Sequence, residues 1–370
     1  MSTSANTNTE VWINKKDFRK TQIVEADTMP LQQGEIRVNI DKFALTANNI
    51  GYAIGGDAVG YWQYFPTHEQ DWGKVGVWGL ADVIESNKAE VAVGERLYGF
   101  FPMSSQLVLK PDDVKPHLFE DATIHRQGLP AFYNQYHRCQ AEPELMQGME
   151  DQRSVLFPLY LTGFVIADFL MDNHYFNAEQ MIVGSVSSKT GYSLAAFIRS
   201  NGYTGKIVGL TSAHNVKFVE ELAICDQVVT YDQADKVNNV SSVYIDMSGD
   251  RQVVAALHHH LADNVKSSQI VGVTHWENLG KRVALPGAQP VFFFTPDHIQ
   301  KRSQQLGEKV FMEKGFTAAV RLFARFKHLV NIEHHQGAQA VAQLWLDLLD
   351  NKISGQRGVM LSTSDGSGAN

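Results

Sequence analysis

Cysteine is nearly absent from this 370-residue chain, which carries only Cys139 and Cys225. Two thiols cannot build a disulfide framework or a multi-cysteine zinc site, and such sparse usage fits a reducing cytoplasm. Basic charge is also scarce: 32 Lys+Arg against 40 Asp+Glu leave −8 with His neutral. That balance argues against a dedicated nucleic-acid binder or a protein of anionic membranes, whose footprints are basic. No uninterrupted run of about 18 apolar residues occurs, so no membrane span is expected. Residues Met1 to Glu10 have neither a positive nor an apolar segment and do not read as a secretory signal. With 44% hydrophobic and 19% charged residues, the chain also lacks the composition of disorder. Its length predicts two domains or three.

The first third is strand-like. Gly34 to Ile40 alternates with period two, and Val75 to Glu85, Arg96 to Phe101 and Ser105 to Lys110 are further β-rich runs. Short strands punctuated by Gly and Pro suggest a compact β-barrel-like unit. From about Leu156 the pattern changes. Thr162 to Asp172 is apolar with helical spacing. Short apolar runs then follow at Gln180–Gly184, Lys206–Leu210, Gln227–Tyr231, Val243–Met247 and Gln269–Val273. Helix-like segments separate them at Gly191–Asn201, Val216–Leu222 and Val253–Leu261. Such alternation implies βαβ units, a parallel sheet and the doubly wound nucleotide-binding architecture. Phe292-Phe293-Phe294 reads as one more buried strand. Ala338 to Asn351 forms an amphipathic helix, and Gly358 to Leu361 a closing strand. The α/β unit thus looks inserted into a β domain that opens and closes the chain.

The order of these segments, with particular motifs, resembles the medium-chain dehydrogenase/reductase superfamily. Leu31 to Val38 is similar to its first strand, Ala44 to Asn49 to a segment of its zinc-free quinone reductases, and Val93 to Gly99 to its "VGDRVYG". Lys206 to Tyr231 and Leu349 to Leu361 carry further likeness. Within the superfamily, Phe43 to Asn49, Gly60 to Pro66 and Ser187-Ser188-Lys189-Thr190 resemble an uncharacterised bacterial branch known only as a domain of unknown function. The resemblance implies an α/β protein: a GroES-like β-barrel domain over residues 10–155 and 305–362, plus a doubly wound Rossmann-like domain with a parallel sheet over 156–304. It also implies a homodimer, in which the strand near Phe292 often pairs across the dimer axis.

The resemblance places a catalytic zinc cysteine of alcohol dehydrogenases where Thr46 stands, so no metal is expected. His258-His259-His260 reads as a solvated helix face or a partner for the helix C-terminal dipole. The phosphate loop is Gly184-Ser185-Val186-Ser187-Ser188-Lys189-Thr190-Gly191, where relatives have "GAAGGVG". Gly184 is kept, while Ser187 and Ser188 replace a glycine pair. Ser185, Ser187, Ser188, Lys189 and Thr190 could cradle phosphate, or a serine could simply cap the helix. The loop also mimics a Walker motif, but it is one residue short and lacks the second glycine.

At the end of the second strand stand Thr211, Ser212 and His214, with Lys217 beyond and no acid for a ribose 2′-hydroxyl. If a dinucleotide binds, this favours NADP over NAD; the alternative is that Thr211 and Ser212 simply cap the helix beginning near Asn215. The resemblance adds Thr162 near the nicotinamide. It also adds a cleft between the domains lined by Asn48, Asn49, Tyr52, Tyr61 and Tyr64. Tyr61 or Tyr64 would be a proton donor and Asn48, Asn49 or Thr46 would stabilise an oxyanion. Packing is the alternative role for these aromatics. His275, after the fifth strand, is a candidate acid/base, or a solvated loop residue. Two functions remain in play. One is a zinc-independent NADPH-dependent reductase of an enone, quinone or activated carbonyl. The other is a non-catalytic relative that binds a nucleotide or small ligand.

Overall fold

The structure, a computed structural model, describes residues 7–142, 146, 148–272 and 284–365. Two compact units emerge: Met1–Val155 with Leu329–Asn370, and Leu156–His328.

In the first unit a mainly antiparallel sheet runs in the order Asn331–Gln336, Arg357–Ser362, Ile36–Leu45, Gly76–Ser86, Arg96–Pro102, Gln135–Arg138, Leu118–Asp121, Pro111–Asp112. Leu361 lies opposite Phe43, so the last strand completes a sheet begun near the start of the chain. Ile36, Val38 and Ile40 are at most 1% exposed, as their alternation requires. A second sheet joins Thr21–Asp27, Thr7–Asn14 and Trp72–Gly73. Arg126 and Asp121 form an ion pair inside this unit, 2.8 Å apart and almost fully buried.

The second unit holds six parallel strands. In chain order they are Gln180–Gly184, Lys206–Thr211, Gln227–Thr230, Ser242–Asp246, Val265–Ile270 and Val291–Phe292. In space they run third, second, first, fourth, fifth, sixth. This is the doubly wound order, whose direction reverses between the first and fourth strands. Gly184 and Asp246 face each other across that reversal.

Two strands differ from the sequence expectation. The fifth starts at Val265, because its buried residues include Ser267, Ser268 and Gln269, which hydropathy passes over. The sixth is only Val291–Phe292, with exposures of 56% and 50%. Of the phenylalanine run, Phe293 alone is buried, 5.1 Å from the Phe169 ring. His258 also departs from a solvated role. It is fully buried, bonded through Nδ1 to the Pro286 carbonyl and through Nε2 to the Ser268 hydroxyl, each at 2.9 Å.

Helix Glu150–Asp172 is long and apolar enough to cross a membrane, yet most of its apolar stretch is buried in the protein itself. Phe311 and Gly315 of helix Glu308–Phe326 pack on its Phe164 and Leu161. His298 of helix Thr295–Leu306 bonds Asp168 at 2.8 Å. These two helices therefore belong to the second unit, which ends at His328; the sequence reading ended it at 304. Their apolar stripes cover the long helix, a contact that strand-and-helix counting does not reveal.

Candidate functional site

The loop between the first parallel strand and helix Lys189–Ser200 is fastened by its own hydroxyls. Ser185 adopts φ +50°, a region that favours glycine. Its hydroxyl meets the Tyr231 hydroxyl at 2.7 Å, and its carbonyl accepts from Ser188 N at 2.9 Å. Val186 is fully buried. Ser187 Oγ accepts from Thr211 Oγ1 at 3.0 Å and from Asn215 Nδ2 at 3.2 Å. Ser188 is the helix N-cap, its Oγ accepting from Gly191 N at 3.0 Å. The capping role weighed for the serines therefore falls to Ser188. Lys189 is 7% exposed at the first helical position, and burial lowers its ammonium to about 8. Thr190 is half-buried.

Two glycines fit by absence of a side chain. A Cβ on Gly191 would lie 2.5 Å from the Ser185 carbonyl oxygen and 2.8 Å from Val186 Cα. One on Gly184 would lie 2.9 Å from both Asp246 Oδ1 and the Tyr244 hydroxyl.

The end of the second strand joins the same network. Asn215 Nδ2 also donates to Ser212 Oγ at 3.1 Å, and Ser212 Oγ meets His214 Nε2 at 3.3 Å. Lys217 stands apart, its side chain 89% exposed beside Glu221. Thr162 donates its hydroxyl to the Pro158 carbonyl at 2.9 Å, a bond within its own helix. His275 lies outside the described residues.

Sequence reasoning missed Tyr231, Asn215 and Asp246. The buried Asp246 accepts from Ser248 N and Oγ at 3.0 and 2.7 Å and from Gly249 N at 2.8 Å; burial pushes its carboxyl up. An acid ending an otherwise apolar strand was a signal available in the sequence.

The first unit brings a second set of candidates together. Asn49 is fully buried and acts as a clamp: its Oδ1 accepts from Thr46 N at 2.7 Å and its Nδ2 donates to the Gly76 carbonyl at 2.9 Å. Asn48 is half-buried. Its Oδ1 accepts from Thr46 Oγ1, and its Nδ2 donates to the Tyr52 hydroxyl at 3.0 Å. Trp78 Nε1 donates to the same hydroxyl at 3.2 Å.

Tyr64 is 1% exposed and gives its proton to the Pro130 carbonyl at 3.0 Å, among Phe65, Phe100 and Tyr133. Packing and that bond account for it. Tyr61 is half-buried and shares a 3.0 Å bond with Tyr133, a member no sequence motif suggested. Burial raises Tyr52, Tyr61, Tyr64 and Tyr133 above the usual phenol range. At Tyr52 the Trp78 and Asn48 donors partly offset it.

No curated protein matches the sequence. Solved structures share the fold. CurA in complex with NADPH from Vibrio vulnificus superposes with TM-score 0.61 at 14% identity, over 93% of this chain and 94% of that one. A mutant form of enoyl thioester reductase from Candida tropicalis gives 0.57 at 15%, over 96% and 99%. YhdH with bound NADPH, from E. coli K-12, gives 0.54 at 12%, over 96% and 100%. What they share with this chain is the fold, an α/β architecture with a parallel sheet and a separate, mainly antiparallel sheet. The profile of the family described as Protein of unknown function (DUF2855) matches residues 43–354, and the chain belongs to that family.

Proposed function

We propose that the chain is a zinc-independent, NADPH-dependent reductase of an enone, quinone or activated carbonyl. One observation carries this: at the reversal of the doubly wound sheet, the loop after the first strand leads into a helix whose first residue is a buried lysine. A buried cation with hydroxyls beside it suits a diphosphate. The second strand ends in Thr211 and Ser212, without the acid that holds a ribose 2′-hydroxyl, which suits a 2′-phosphate. NADPH crystallised with CurA and with YhdH supports the same choice of cofactor.

Ser185, Ser187, Ser188, Lys189 and Thr190, with Gly184, would hold the diphosphate. Thr211, Ser212, His214 and Lys217 would hold the adenosine phosphate, and Thr162 would stand near the nicotinamide. Bound NADPH would supply a hydride. The chain's own part is to orient the acceptor, stabilise the oxygen that gains charge and return a proton. Asn48 would stabilise that oxygen, while the clamp role of Asn49 supports the turn that carries Asn48. Tyr61, half-exposed, keeps a place at the acceptor; Tyr64 is held in the core. The exposed Val291 and Phe292 on the edge strand would be covered in a homodimer.

A second reading has one observation in its favour. The hydroxyls of Ser185, Ser187 and Ser188 are already engaged within the protein, which fits a relative that binds a small ligand without catalysis. Fluorescence titration with NADPH and NADH, followed by turnover of an enone and quinone panel, separates the two. NADPH binding with turnover is expected. Binding without turnover favours the second reading, and no dinucleotide binding at millimolar concentration defeats the reductase.

A further inference from the structure

The second unit carries a hollow at the amino ends of its parallel strands, away from the phosphate turn. Its volume is about 280 Å³, near the lower bound of about 300 Å³ for small-molecule sites, and it lies wholly within that unit. Helix Lys189–Ser200 reaches it with Ala196 and Arg199, and the chain before the third strand with Ile224, Cys225 and Asp226. Arg325 comes from helix Glu308–Phe326. The phosphate turn leads into the other end of helix Lys189–Ser200, about 15 Å from Arg199 at 1.5 Å per residue. Ligands of an open α/β sheet lie at the carboxyl ends of its strands, so this is a second place on the unit.

The floor of the hollow is apolar and uncharged. Ala196 and Ile224 are buried. Burial, with Asp226 beside it, pushes the Cys225 thiol up to about 12, which keeps it neutral at physiological pH. At the rim, Arg199 is fully engaged: it donates to Asp226 at 2.5 Å and to the carbonyls of Tyr203 and Gly205 at 3.0 and 3.2 Å. Arg325 has donors to spare. A guanidinium carries five N–H groups, and among the described residues this one engages Nη2 alone, on the Leu222 carbonyl at 3.3 Å. Its Cζ lies 4.8 Å from the centre of the Phe326 ring, a contact that steadies the group.

We infer that this hollow binds a small monocarboxylate with a short apolar tail, its carboxylate on Arg325 and its tail over Ile224 and Cys225. A planar carboxylate matches the fork of a guanidinium. Arg199 and Asp226 cancel each other, so a single positive charge is left for a single negative charge to answer. A dianion would also face Asp226 and the partial negative charge where helices Lys189–Ser200 and Val216–Leu222 end. An alkylammonium would meet two guanidiniums. The inference stands apart from the reductase reading, since it needs neither NADPH nor an acceptor.

Hexanoate is the probe and cysteine the reporter. Labelling the full chain with nitrogen-15 at cysteine alone gives two amide signals, Cys225 at the hollow and Cys139 in the first unit; Cys139→Ser assigns them. Hexanoate should move the Cys225 signal along a saturating curve with a dissociation constant of about 1 mM and leave Cys139 in place. Arg325→Gln should weaken that binding about tenfold or more, the loss expected of a charged hydrogen bond. Hexylamine, with the same tail and the opposite charge, should leave Cys225 unmoved. Lys189→Met should bind hexanoate as the parent does, because the phosphate turn takes no part. A Cys225 signal that stays put, two signals that move together, or hexylamine acting like hexanoate overturns the inference. So does full affinity in Arg325→Gln or lost affinity in Lys189→Met.

Discussion

Replacing Lys189 by Met tests how the loop is built. Lys189 is 7% exposed at the start of a helix, and burial lowers its ammonium from 10.5 to about 8. Each tenfold change in an acid constant is worth about 1.4 kcal/mol, so keeping this group charged in the folded state costs about 3 kcal/mol at neutral pH. Met has a similar reach and no charge. Between pH 8 and 10.5 the unfolded chain still holds the proton that the folded chain has released, so the stability of the parent protein rises with pH across that window. In Lys189→Met that rise, about 3 kcal/mol in the parent, should be absent. Urea unfolding of both proteins followed by circular dichroism at pH 6 to 10 measures it. A gap between the two that does not change with pH would refute the account. A diphosphate beside the ammonium would draw its acid constant back up. NADPH affinity should therefore weaken from pH 7 to 9 in the parent protein, and this slope should disappear in the variant.

Two further substitutions probe the scaffold. Gly191→Ala would press a methyl group onto the Ser185 carbonyl and Val186 Cα, and should cost about 1–3 kcal/mol, read as a lower urea midpoint. Glu150 is held at about 2, first by its hydrogen bond with Arg96. Its stabilisation is therefore present above pH 4.5 and lost as pH falls toward 2. Glu150→Gln should cost about 1 kcal/mol at pH 7, its partial exposure having been allowed for, and nothing at pH 2, by denaturant unfolding at both.

Much of the architecture is legible in the sequence because period-two alternation and short apolar runs report burial directly. Ile36, Val38 and Ile40 show this, as do Met181, Ile182 and Val183. The fifth parallel strand was displaced because Ser267, Ser268 and Gln269 are buried on hydrogen bonds, not on hydropathy. The exposed pair Val291 and Phe292 shows the converse error, apolar residues at a sheet edge. At the candidate site, residue types could be named but not their partners. Ser187 turning to Thr211, Ser185 to Tyr231 and Tyr52 receiving Trp78 are contacts between distant segments. Local pattern does not encode them.

A nucleotide turn made of glycine is slack until something fills it. Here three serines stitch the turn to the ends of two neighbouring strands and to the helix that follows. It holds its outline alone, so an incoming ligand forfeits little freedom of the chain but must trade places with hydroxyls already in use. Discrimination then moves from how closely a backbone can approach to which ligand oxygens best replace those internal partners. A polyanion that offers several acceptors at once has the advantage over one that offers few.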